Sequence, residues 1–88
     1  MSPPSTKLGI SNHRAKPHVV AVEPWGEDFT LLAGEELEIV AYGDTNIPHF
    51  GLVEWEGSTQ VYCEEAVSFK VLQGSVELAC GHNRQPNS

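Results

Sequence analysis

Between His18 and Cys80, apolar and polar residues alternate with period two, and glycine, proline or asparagine breaks the alternation about every ten residues. A strand turns successive side chains to opposite faces, so this rhythm predicts short paired strands. HVVAVE (18–23) is the first, stopped by Pro24, and Pro24-Trp25-Gly26-Glu27 turns the chain. DFTLL (28–32) follows with Phe29 and Leu31 on one face, and then ELEIVAY (36–42) with Leu37, Ile39 and Ala41 on one face. After the loop GDTNIPH (43–49), FGLVEWE (50–56) alternates Val53 and Trp55 against Glu54 and Glu56. Gly57-Ser58 suits a hairpin into TQVYCE (59–64). AVSFKVL (66–72) and SVELAC (75–80) complete the set, with Val67, Phe69, Val71, Val76 and Leu78 expected inward. No window carries the i, i+3, i+4 apolar stripe of a helix. The expectation is an all-β fold, a small antiparallel sandwich or SH3-like barrel of six to seven short strands with disordered tails. That is too little chain for an eight-stranded barrel around a cavity.

The flanks read differently. Residues 1–17 are rich in proline and serine, and 81–88 are uniformly polar, so neither is expected to bury enough apolar surface to offset the entropy of ordering. The predicted organisation is a disordered N-terminal tail (1–17), an acidic all-β domain (18–80) and a polar C-terminal tail (81–88). A domain of that size buries only about 60% of its unfolded surface, so a partner or a dimer contact would add useful stability.

Charge sharpens the picture. All twelve acids lie between Glu23 and Glu77, where Lys70 is the single Lys or Arg, so that stretch carries −11. Lys7, Arg14, Lys16 and Arg84 bring the chain to −7. Such a body repels phosphate backbones, which argues against direct nucleic-acid binding, and attracts basic proteins. The glutamates of ELEIVAY occupy water-facing positions, and a one-residue slip would bury Glu36 and Glu38, so the charges also fix the register. The predicted function is a non-catalytic acidic module that binds a basic protein, as an inhibitor, an immunity-type or a phage-type protein does. Its expected contacts are Glu36, Glu38, Glu54 and Glu56, with Trp25 and Tyr42 as apolar anchors. The alternative is a structural domain that forms a homodimer through a second apolar sheet face bearing Leu32, Val40, Tyr42, Leu52 and Tyr62.

Candidate chemistry is sparse. Cys63 and Cys80 read as buried thiols, with a disulfide the alternative if their strands are neighbours. A third reading is a small metal-binding domain built from His49, Cys63, Cys80 and His82, since thiolate and imidazole suit zinc, although no C-x-x-C pair supports it. No nucleophile elbow, phosphate-cradling glycine loop or H-E-x-x-H is present, so no catalytic residue and no cofactor are assigned. No basic region precedes an apolar run near the start and no stretch approaches membrane-spanning length, so a cytoplasmic protein without membrane attachment is expected.

Over Val22 to Ala41, VEPWGEDFTLLAGEELEIVA resembles short uncharacterised bacterial β-rich proteins in which a P-W-G turn precedes a G-E-x-L-x-I-V strand start. The resemblance implies a bacterial origin and a β-sandwich, and transfers no functional residue.

Overall fold

A computed structural model describes residues 3–79. Eight strands run in chain order: β1 (Ser5–Ser11), β2 (His18–Glu23), β3 (Glu27–Leu31), β4 (Glu36–Gly43), β5 (His49–Trp55), β6 (Ser58–Glu64), β7 (Ala66–Gln73) and β8 (Val76–Glu77). They form two four-stranded sheets, ordered β1-β4-β7-β8 and β3-β2-β6-β5. Among the described residues there is no helix, so none is long and apolar enough to cross a membrane.

The core lies between the sheets. Leu37, Ile39, Ala41 and Val71 from the first meet Val20, Val22, Phe29, Leu31, Val61 and Cys63 from the second, all buried. Phe29, Leu31, Leu37, Ile39, Ala41 and Val71 are thus inward, as the alternation predicts, and Phe69 and Leu78 pack against this core half-buried.

Three features depart from the sequence reading. The N-terminal segment is not a disordered tail through residue 17, because Ser5–Ser11 is β1 and pairs with β4 over seven registered residues. Its period-two pattern is weak, with Thr6, Leu8 and Ile10 separated by polar residues or glycine, and β4 supplies the ladder that makes it a strand. Leu8 and Ile10 pack on the core, each stabilising by up to about 2 kcal/mol. Among the described residues the count is therefore eight strands. The C-terminal tail assigned to 81–88 lies outside the described residues. Second, β2 and β6 are parallel neighbours, Val22 beside Val61, so the second sheet is mixed. Third, several residues expected inside lie at the surface: Val53, Trp55, Val67 and Val76 are 39%, 61%, 65% and 62% exposed.

Register explains the third departure. Buried Cys63 and Val61 stand opposite Phe50 and Leu52, so the inward set on β5 is Phe50, Leu52 and Glu54, and Val53 and Trp55 face out. In β7, Tyr42 faces Ser68 but Gly43 faces Ala66, which leaves Val67 as the extra, unpaired residue of a bulge. Val76 lies in a two-residue edge strand with little sheet above it. The β5–β6 turn is Glu56-Gly57, one residue before the predicted Gly57-Ser58, since Trp55 and Ser58 already pair.

Val40 departs in the opposite sense. It points away from the core yet is 3% exposed, because it lies between Lys7 of β1 and Lys70 of β7. Lysine stems cover apolar surface while their ammonium groups stay wet.

Candidate functional site

The two ends of the sandwich have different charge. At one end lie the start of β1, the β2–β3 turn, the β4–β5 loop and the β6–β7 turn. Registers bring them together: Ser5 faces Tyr42, Gly43 faces Ala66, Glu23 neighbours Tyr62, and His49 faces Glu64. This end carries Glu23, Glu27, Asp44, Glu64 and Glu65, and its strand ends and turns contain no Lys or Arg among the described residues. The opposite end is mixed. There Glu54 lines a groove with Arg14 and His18, and Glu56 lines another with Arg14, Lys16 and His18.

Local geometry holds the acidic end in shape. Gly43 is tolerated only without a side chain, because a Cβ there would meet the Asn46 carbonyl oxygen and the Pro48 ring. Pro48 is fully buried, and Thr6 Oγ1 donates to its carbonyl at 2.6 Å, tying β1 to the β4–β5 loop. Asn46 Nδ2 donates to Glu65 Oε2 at 2.6 Å, bridging that loop to the β6–β7 turn. Glu65 adopts φ of 65°, a left-handed conformation that costs a side-chain-bearing residue roughly 1 kcal/mol or more. In the β2–β3 turn, which includes a cis Glu23–Pro24 bond, Gly26 supplies φ of 69°. That turn folds the Trp25 indole back over the Phe69 ring, with centroids 4.6 Å apart and planes inclined by 35°.

The six contacts expected from the sequence therefore separate into three groups. Trp25 lies at the acidic end, half-buried against Phe69. Glu36, Glu38 and Tyr42 share the outer face of the first sheet, where Lys7 and Lys70 alternate with them across the strands. The Lys70 ammonium lies 5.7 Å from the Tyr42 ring centroid, and Tyr42, through hydrogen bonding and its charge, holds the lysine pKa above its usual value, with Glu77 adding to this. Ser11 Oγ donates to Glu36 Oε2 at 3.3 Å. Glu54 and Glu56 lie at the mixed end beside the chain's own basic segment. The sequence reading missed the grouping of Glu23, Glu27, Asp44, Glu64 and Glu65. Its signal was there, acids placed at turns, but their juxtaposition needs the strand order.

The metal candidates do not converge. Cys63 points into the core opposite Phe50, whereas His49 is exposed and registers with Glu64 on the other face. Cys80 and His82 lie outside the described residues. Among the described residues no three His, Cys, Asp or Glu side chains are grouped to hold a metal ion. The Cys63 thiol is free, and burial, reinforced by Glu64, pushes its pKa up to about 11.

One strand presents apolar residues at an open sheet edge. β5 is the last strand of its sheet; Leu52, Val53 and Trp55 on it are exposed, as are Ile47 in the preceding loop and Tyr62 on β6. Gln60 Oε1 accepts from Trp55 Nε1 at 3.1 Å and from Tyr62 Oη at 3.5 Å, which holds both rings on the outer face. No family model, no curated protein and no solved structure matches the chain.

Proposed function

We propose that this protein is a non-catalytic binding module whose acidic end receives a basic surface of a partner protein. The observation that carries the reading is the gathering of Glu23, Glu27, Asp44, Glu64 and Glu65 at one end, with no Lys or Arg on its strand ends and turns among the described residues. Glu65 contributes its charge from a fixed position, since Asn46 Nδ2 donates to its carboxylate. Charge of one sign on one surface speeds encounter and orients the partner. Trp25, half-exposed at the same end, supplies an aromatic contact of the kind that anchors interfaces. Inhibitors, immunity-type proteins and phage-type proteins that act by occluding a basic surface fit this description. A reducing cytoplasm suits the free Cys63 thiol.

Binding of a short oligolysine peptide, followed by calorimetry as salt is raised, tests the reading. Affinity should fall at least tenfold by roughly 0.15 M salt, where screening acts over about 8 Å. Salt-independent binding, or none at low salt, would refute it.

A second reading, self-association, is favoured by the open β5 edge with Leu52, Val53 and Trp55 exposed on it. Sedimentation equilibrium separates the two: a dimer abolished by Val53→Lys supports this one, and a monomer at high concentration removes it.

A further inference from the structure

Along the side of the sandwich where β3 approaches β7 and β8, from Trp25 at the acidic end to Glu77 beside Leu72, the gap between the sheets opens into a pocket of ≈ 300 Å³ that Glu27, Val67, Phe69 and Lys70 also line. Glu27 pairs with Val22, so its side chain points to the core side of the sheet, and its Oε1 is shielded from solvent with no hydrogen-bond partner among the described residues. A shielded carboxylate oxygen left unpaired is costly, and an entering donor recovers that cost. Its apolar walls are the Trp25 and Phe69 rings, inclined by 35°, and the exposed Val67 side chain, with Ser68 and Glu77 also on the lining. Lys70 lines the same pocket, but its ammonium lies over Tyr42 on the outer face of the first sheet.

We infer that this pocket binds one protonated alkylamine, the side chain of a lysine on the basic partner, with its methylenes on Trp25 and its N–H donating to the Glu27 carboxylate after that side chain turns Oε1 toward the pocket. The inference rests on the proposed function and deepens it, by assigning one anchoring contact within a diffuse electrostatic surface. The unpaired oxygen needs a donor, so the ligand must carry an N–H. A quaternary ammonium of similar charge satisfies the aromatic walls and leaves the oxygen unpaired.

The test uses the full chain carrying Trp55→Phe, which leaves Trp25 as the sole tryptophan. The probes are n-butylammonium chloride and tetramethylammonium chloride, against sodium chloride at matched ionic strength. Trp25 emission and its indole ¹H–¹⁵N shift are the readouts. A saturable change with n-butylammonium, at least tenfold weaker with tetramethylammonium, supports the inference. Adding Glu27→Gln should weaken n-butylammonium binding about tenfold while the folded fraction, read by circular dichroism, is unchanged. Equal responses to the two cations, or unchanged affinity in Glu27→Gln, overturn it, and the cation comparison stands even if that variant fails to fold. Asp44→Asn with Glu64→Gln separates the two claims. If these weaken oligolysine binding while n-butylammonium leaves Trp25 unperturbed, the surface reading survives and the pocket assignment falls.

Discussion

Asn12 is where a local change should reveal most about the fold. Its side chain is 3% exposed and makes three hydrogen bonds. Nδ2 donates to Lys16 O at 2.8 Å and to the buried Leu31 O at 3.0 Å, and Oδ1 accepts from Arg14 N at 3.0 Å. Its backbone joins the same knot, with Asn12 N donating to Glu35 O at 2.9 Å and Gly34 N donating to Asn12 O at 2.8 Å. One residue therefore pins the β1–β2 connection to the β3–β4 turn. Asn12→Ala removes all three side-chain bonds and strands at least one buried carbonyl. At about 1 kcal/mol per bond plus the cost of the orphaned carbonyl, the loss comes to roughly 2–4 kcal/mol. A domain of this length is worth about 4–12 kcal/mol in total, so urea melts followed by circular dichroism should move markedly. Asn12→Asp should cost more than Asn12→Ala, because it aims a carboxylate oxygen at two carbonyls where an amide donated. A change below about 0.5 kcal/mol in Asn12→Ala, or an aspartate variant more stable than the alanine, would refute the reasoning. The first result would also return residues 1–17 to the status of a loose tail.

Further outcomes follow from packing and titration. Val40→Ala should cost about 1–3 kcal/mol although Val40 points away from the core, whereas Val67→Ala should cost under about 0.5 kcal/mol, both read as urea midpoints. The opposite order would overturn the assigned bulge. Gly43→Ala should destabilise by roughly 2–4 kcal/mol, since the added Cβ meets backbone at Asn46, and a variant melting like the parent would show the loop is more yielding than described. Because burial raises the folded-state pKa of Cys63 from 9.0 to about 11, the folded chain retains a proton that the unfolded chain releases. The resulting stability is complete below pH 9.0 and is lost as pH rises toward 11, and Cys63→Ala should show a smaller alkaline loss in melts across that interval. Equal losses in the two proteins would exclude Cys63 as the cause.

Much of the fold was legible where alternation is strong and the strand has a neighbour on each side. ELEIVAY is the clearest case: Leu37, Ile39 and Ala41 are buried as read, because β4 has partners on both sides. The same rule failed on β5, where Phe50, Leu52, Val53 and Trp55 give apolar residues on both faces and only pairing with Cys63 and Val61 decides which set turns inward. β1 was missed because Ser, Lys and Gly dilute Thr6, Leu8 and Ile10, and the partner strand lies about thirty residues away. That omission carried into the site. Once β1 and Asn12 hold residues 12–17 against the sandwich, Arg14 and Lys16 lie beside Glu54 and Glu56, two acids expected to meet a partner. The acids left without basic neighbours are those at turns, which alternation along a strand cannot bring together.

The most direct measurement compares two charge-neutralised proteins in oligolysine binding at low salt. One carries Asp44→Asn, Glu64→Gln and Glu23→Gln at the acidic end, and the other Glu54→Gln and Glu56→Gln at the mixed end. The first should weaken binding by about tenfold or more while the second changes it less than about threefold. Equal losses in the two, or a larger loss at the mixed end, would contradict the assignment of the acidic end as the surface that meets a partner.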